Sequence, residues 1–178
     1  MKFFRDRKRV QRAALRLIAR TEEEYGFDSR IKRVIVMPRK NNAYYYSPDI
    51  PIMNNTISLP LCSPRSLKMK TLCLHELAHA VHFHYRIKTR LKCFQSPRYI
   101  FLGPRPEGFV GCYAQYGRYE DFADTFACYL TNRKTWHCRC RFEGETFDPR
   151  HEPRLYRKLE TVHQLLKDIR HMKPKKLK

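Results

Sequence analysis

The stretch LHELAHAVHF, residues 74–83, places two histidines and a glutamate inside an otherwise apolar run. His75 and His79 are four residues apart, so on a helix they share a face about one turn from each other. Two imidazoles so placed can be bridged by one tetrahedral zinc ion. Glu76 follows His75 but is rotated off that face, where its carboxylate can reach a water beside the ion without entering the coordination shell. Leu72, Leu74, Leu77, Ala78, Ala80 and Val81 surround these groups. Burying imidazoles and a carboxylate there without partners would be costly, so a core helix with decorative histidines is the weaker reading.

A catalytic zinc site takes three protein ligands and leaves the fourth position open. The extended pattern H-E-x-x-H-x-x-G-x-x-H would require a glycine at position 82 and a histidine at position 85, and the chain has His82 and Tyr85 there. His82 and His84 are read as surface residues or as partners of the ligands. The segment YEDFADTFACYL, 119–130, offers a third ligand: Glu120, Ala123, Asp124 and Ala127 recur at i, i+3, i+4, i+7 and share one helical face. Its small residues would allow a close approach to the first helix, bringing Glu120 to about 2.0–2.2 Å from a metal. Asp124, one turn on, could accept the outer N–H of a ligand histidine and fix its tautomer. Asp121 and Asp124 compete with Glu120 for the ligand role. A carboxylate near a helix N-terminus is also favoured by the dipole alone.

HELAH at 75–79, followed 41 residues after His79 by EDFADTFACYL, resembles the gluzincin metallopeptidases. GFVGCYAQYGRYEDFADTFA, 108–127, is similar to the small zincins related to the catalytic domain of anthrax lethal factor and to the Pro-Pro endopeptidases. It also resembles a family of zinc-binding metallopeptidases known mainly from sequence. The ImmA/IrrE-type repressor-cleaving peptidases share a looser E-x-x-A-x-x-F-A, which Glu120 to Ala127 satisfies. The resemblance covers residues 55–131 and leaves the basic N-terminus, the 86–107 insertion and the C-terminal third aside. It implies that Glu120 is the third zinc ligand, with one Zn2+ per chain. Tyr113, seven residues earlier, is implied to point at the substrate carbonyl. The implied activity is a zinc-dependent endopeptidase with Glu76 as general base and Tyr113 as hydrogen-bond donor to the oxyanion. Tyr116 and Tyr119 are rivals for that last role. A basic nucleic-acid- or assembly-binding protein with a structural or vestigial zinc site is the alternative. Glu76 argues against it, because a structural site needs no general base.

The elements that must position these residues are legible in outline. Val10, Ala13, Ala14, Leu17 and Ile18 follow i, i+3, i+4, i+7, i+8 and predict an N-terminal helix that Gly26 ends. IKRVIVMP (31–38), NNAYYYS (41–47) and NTISLPLC (55–62) read as strands, the last demoted to an edge by Pro60. A helix over 66–85 carries HELAH, the Pro- and Gly-rich stretch 86–112 is irregular, and helices follow over 119–130 and 155–169. Strands first and helices after predict an α+β class. The arrangement expected is zincin-like, a small twisted mixed sheet packed on the HELAH helix and the second ligand-bearing helix, with N- and C-terminal helices added.

The chain has 178 residues, 42% of them hydrophobic, which suits one globular domain over 1–172. The basic residues 173–178 read as a disordered tail. No run is long and apolar enough for a membrane span, and no secretory h-region opens the chain. The Arg-rich amphipathic N-terminus also suits a mitochondrial presequence, but its helical stripe favours packing on the domain. Seven cysteines without a regular framework predict reduced thiols in the cytoplasm. Cys138-x-Cys140 beside His137 raises a second metal site, though no matching pair follows at zinc-ribbon spacing, and free thiols are the default. The formal net charge of +20, densest at 2–20, 86–92, 133–141 and the tail, predicts salt-sensitive attraction to polyanions. The partners expected are thus a peptide or protein substrate and, non-specifically, nucleic acid or another polyanion such as an acidic assembly.

Overall fold

The computed structural model describes residues 2–37, 42–47, 49, 53–87, 93–94 and 105–173. The class is α+β, with four α-helices and two small sheets among the described residues. The residues fall into two compact units, Met1–Arg86 with Ile169–Lys178, and Ile87–Asp168.

In the first unit, α1 (Lys2–Tyr25) buries Val10, Ala14 and Ile18, one residue per turn, on the predicted stripe. Gly26 stops it with φ +65°. Strands β1 (Arg33–Met37), β2 (Tyr44–Tyr46) and β3 (Thr56–Pro60) form one sheet in the order β1-β3-β2. β3 is parallel to β1 and antiparallel to β2. The edge assignment from Pro60 is therefore corrected: β3 is central and all five of its residues are buried. Pro60 is its last residue, opposite Met37, so the missing N–H falls where the ladder ends rather than inside it.

The HELAH helix is α2 (Leu67–Tyr85). Ser66 caps it, its Oγ accepting from the Met69 N–H at 3.1 Å and donating to the Ser63 carbonyl at 2.7 Å. Met69, Cys73, Leu77, Ala80, Val81 and His84 are among its buried residues, and the Cys73 thiol contacts the Ala14 carbonyl of α1 at 3.9 Å. So α2 is held on one side by α1 and lies beside β2 and β3 on another, which fixes the direction of the remaining face.

The second unit contains α3 (Arg118–Thr131), a hairpin of β4 (Cys140–Phe142) and β5 (Glu145–Phe147), and α4 (Pro153–Asp168). The hairpin was not anticipated. Its two-residue turn, Glu143-Gly144, has φ +49° and +90°, which matches the twist of tightly connected antiparallel strands. Asn132 ties it to the end of α3: its side chain donates to the Cys128 and Arg141 carbonyls at 2.8 and 3.1 Å and accepts from the Arg141 N–H at 2.8 Å. Phe94, Phe122 and Phe126 stack in sequence through this unit's core, with ring centroids 5.6 and 5.8 Å apart.

Among the described residues no helix is long and apolar enough to cross a membrane. Most of the predicted irregular stretch (88–92 and 95–104) and the tail residues 174–178 lie outside the described residues.

Candidate metal centre

α2 delivers His75 and His79 as its spacing requires. Their Nε2 atoms are 3.1 Å apart, and the rings meet edge to face at 77°. Two nitrogens held at about 2.05 Å by a tetrahedral zinc would be about 3.3 Å apart, so the pair is set close to a chelating separation. The same distance also suits a single N–H···N hydrogen bond. His75 and Glu76 are buried and His79 is half-buried.

Glu120 lies in the first turn of α3, beside Asp121, where the helix dipole favours a carboxylate. His75, His79 and Glu120 make up a group that could hold a metal ion, one ligand atom from each lying within 4.8 Å of the others. Two imidazole nitrogens and one carboxylate oxygen are a donor set suited to zinc. No other such group of three occurs among the described residues, and His137, Cys138 and Cys140 are not brought together as one. All seven cysteines carry free thiols.

The rivals for the third position separate clearly. Asp121 is wholly buried and its Oδ2 lies 2.6 Å from the Lys158 ammonium of α4, so it is committed elsewhere. Asp124 is buried one turn beyond Glu120. His84 is not a surface residue: it is fully buried, with Nε2 3.0 Å from Asn55 Oδ1 and 3.1 Å from the Tyr45 hydroxyl. That hydroxyl also donates to Asn55 Oδ1 at 2.9 Å, closing a polar triangle that pins α2 to β2 and the start of β3. His82 is half-buried.

Tyr113 opens a short 3-10 turn, Tyr113–Tyr116, immediately before α3. It is 47% exposed, and its ring centroid is 5.2 Å from that of Tyr116, itself 58% exposed. Both phenols, and that of Tyr119, are therefore accessible to a ligand.

Sequence reasoning missed the groups that seat the first turn of α3. Lys158 donates to the Gly108 carbonyl at 2.7 Å as well as pairing with Asp121, and its ammonium lies 4.0 Å over the Phe109 ring. Gly108, at φ +79°, presents its N–H to Glu152 at 2.8 Å, and a Cβ there would come within 3.0 Å of Arg154. Arg105 completes the network with a forked bond to Glu152 at 2.5 and 3.0 Å and a bond to the Phe109 carbonyl at 2.6 Å. The available signal was Lys158 itself, a cation on the Leu155, Leu159, Val162 stripe of an amphipathic helix, where a solvated lysine does not belong.

No family model, no curated protein and no solved structure matches this chain. The functional reading therefore stands on the residues and their geometry.

Proposed function

We propose that this chain is a zinc-dependent endopeptidase of the gluzincin type with a zincin-like fold, in which His75, His79 and Glu120 hold the metal. The observation that carries the reading is the group of three donors within 4.8 Å, with Glu76 directly following the first of them. When bound there, zinc would supply Lewis acidity toward a peptide carbonyl and make a water molecule acidic enough to attack near neutral pH.

The chain's own groups do the rest. Glu76 accepts the proton of the attacking water on one carboxylate oxygen and returns it to the leaving amine nitrogen, so that the C–N bond breaks with a neutral amine departing. Burial of Glu76 keeps that proton from bulk solvent. The Tyr113 hydroxyl donates a hydrogen bond to the carbonyl oxygen as it gains negative charge. Asp124 accepts a hydrogen bond from a ligand histidine and so holds its tautomer. The Lys158–Asp121 pair supports the reading indirectly, because it anchors the turn that presents Glu120.

The test is metal content of purified protein by mass spectrometry, run on wild type, Glu120→Ala and Glu76→Gln, with cleavage of a denatured protein substrate as the second readout. The reading expects one zinc per chain in wild type and in Glu76→Gln, and a large loss in Glu120→Ala. Peptide hydrolysis should fall by about 10²–10⁴-fold in Glu76→Gln despite its retained metal. Stoichiometric zinc with no cleavage difference between wild type and Glu76→Gln would instead indicate a structural site.

A further inference from the structure

Away from the metal centre, α1 and the approach to α2 enclose a cavity of about 710 Å³ whose wall carries Arg9, Arg12, Arg16, Arg65 and Lys70. No acidic residue lines it. Arg9, Arg12 and Arg16 recur at i, i+3, i+7, so they form one row along the solvent face of α1, opposite the Val10, Ala14, Ile18 stripe that the core takes. All five cationic side chains are exposed. Asp6 lies 3.8 Å from Arg9 across a pair that is 64% and 41% exposed, which neutralises little. Lys68 and Lys70 fall in the first turn of α2, which contains no acidic residue, although the helix dipole disfavours cations there. Five like charges facing one cavity repel one another, and a bound polyanion would turn that repulsion into attraction.

We propose that this cavity is a docking site for the phosphate backbone of duplex nucleic acid. Two features select this partner over a small anion or a single strand. The arginine row from Arg9 to Arg16 spans seven residue steps, about 10.5 Å of helix, which matches about three successive phosphates of one strand. Apart from its cations the lining is Ala13, Ser63, Pro64 and Met69, with no aromatic ring on which an unpaired base could stack. Such a site positions the protein on a duplex without reading sequence. It stands independently of the peptidase reading.

The experiment measures binding of a fluorescent 20-base-pair DNA of arbitrary sequence as a function of salt. It compares wild type, the cavity triple variant R12Q/R16Q/K70Q, and the control triple variant K134Q/R139Q/R157Q, whose three exposed cations lie elsewhere. Both variants lose three charges from the same formal +20, so net charge alone would affect them equally. The proposal expects the cavity variant to lose about 2–3 units of the log–log salt slope and at least about tenfold in affinity at 0.1 M salt. The control variant should stay close to wild type. Equal losses in the two variants, or a cavity variant indistinguishable from wild type, would overturn it. So would a cavity variant that loses saturable binding of inorganic phosphate while holding the duplex as tightly as wild type. Circular dichroism of each variant verifies that the fold is retained.

Discussion

The Lys158 ammonium and the Asp121 carboxylate are 2.6 Å apart, and both side chains are fully excluded from solvent. Burial raises the Asp121 pKa to about 7 and lowers that of Lys158, while their mutual attraction opposes both shifts. The Gly108 carbonyl takes a further ammonium proton at 2.7 Å, so the cation is solvated by protein in place of water. The consequence lies one residue away. With Asp121 held on α4, the first turn of α3 cannot rotate freely, and Glu120 is presented on the remaining side.

Breaking this pair from one end should therefore cost much more than removing it whole. Lys158→Met leaves a buried carboxylate unpaired and should destabilise the fold by about 3–5 kcal/mol. The double variant Lys158→Met/Asp121→Leu should recover most of that loss, since well-packed apolar replacements of buried pairs are often neutral. Urea denaturation of the wild type, the single and the double variant gives the comparison directly.

Metal binding should register as stability, because a ligand that binds only the folded state shifts the unfolding equilibrium. Zinc at a hundredfold excess over its dissociation constant would add about 2.7 kcal/mol. A chelator should correspondingly lower the melting temperature of wild type, and His79→Ala should abolish both responses. A melting temperature unmoved by zinc or chelator in wild type would count against the site.

The Arg105–Glu152 pair predicts an acid-labile contribution. Burial alone would raise the Glu152 pKa, but the hydrogen bond from Arg105, that from the Gly108 N–H and the charges of Arg105 and Lys158 outweigh it, leaving it below the ordinary glutamate value. A carboxylate with a depressed folded-state pKa contributes stability above its unfolded value of about 4.3, and loses it as pH falls through the folded value. Stability measured by urea denaturation should decline between about pH 5 and pH 3, and the decline should be shallower in Glu152→Gln. Above about pH 6 the slope should be the same in both proteins.

What could be read from the chain depended on whether the decisive interaction was periodic or long-range. Helices α1, α2, α3 and α4 were legible because each buries a stripe whose period survives in the sequence, and α2 and α3 begin within a residue or so of the expected positions. The grouping of His75, His79 and Glu120 within 4.8 Å was legible for a related reason: their donor types and spacing form a pattern that few demands other than metal binding produce. The position of β3 was not. Pro60 looked like an edge signal, yet strand order is set by a parallel pairing between residues 23 apart, such as Arg33 with Thr56, that no local pattern announces. His84 failed similarly, since its partners Tyr45 and Asn55 lie 39 and 29 residues away. The β4–β5 hairpin was overlooked because its strands are three residues each, too short for alternation to stand out, although Glu143-Gly144 carried a weak turn signal.

The tyrosines before α3 lead to the last prediction. Tyr113 and Tyr116 stand side by side on one 3-10 turn with ring centroids 5.2 Å apart, so a substrate carbonyl near one phenol is near the other. Only a hydroxyl that meets the oxyanion strengthens its bond as charge develops, and loss of such a donor lowers kcat by about 10²–10³-fold with little change in KM. Tyr113→Phe is expected to produce that pattern with zinc content retained, since a phenol is not among the three donors His75, His79 and Glu120. Tyr116→Phe should alter kcat by less than about threefold, within the range of a neighbour that only packs against the donor. Steady-state kinetics on both variants separate the roles: a large kcat loss confined to Tyr116→Phe would transfer the assignment to Tyr116, and no loss in either would leave Glu76 and the metal as the only charge-handling groups.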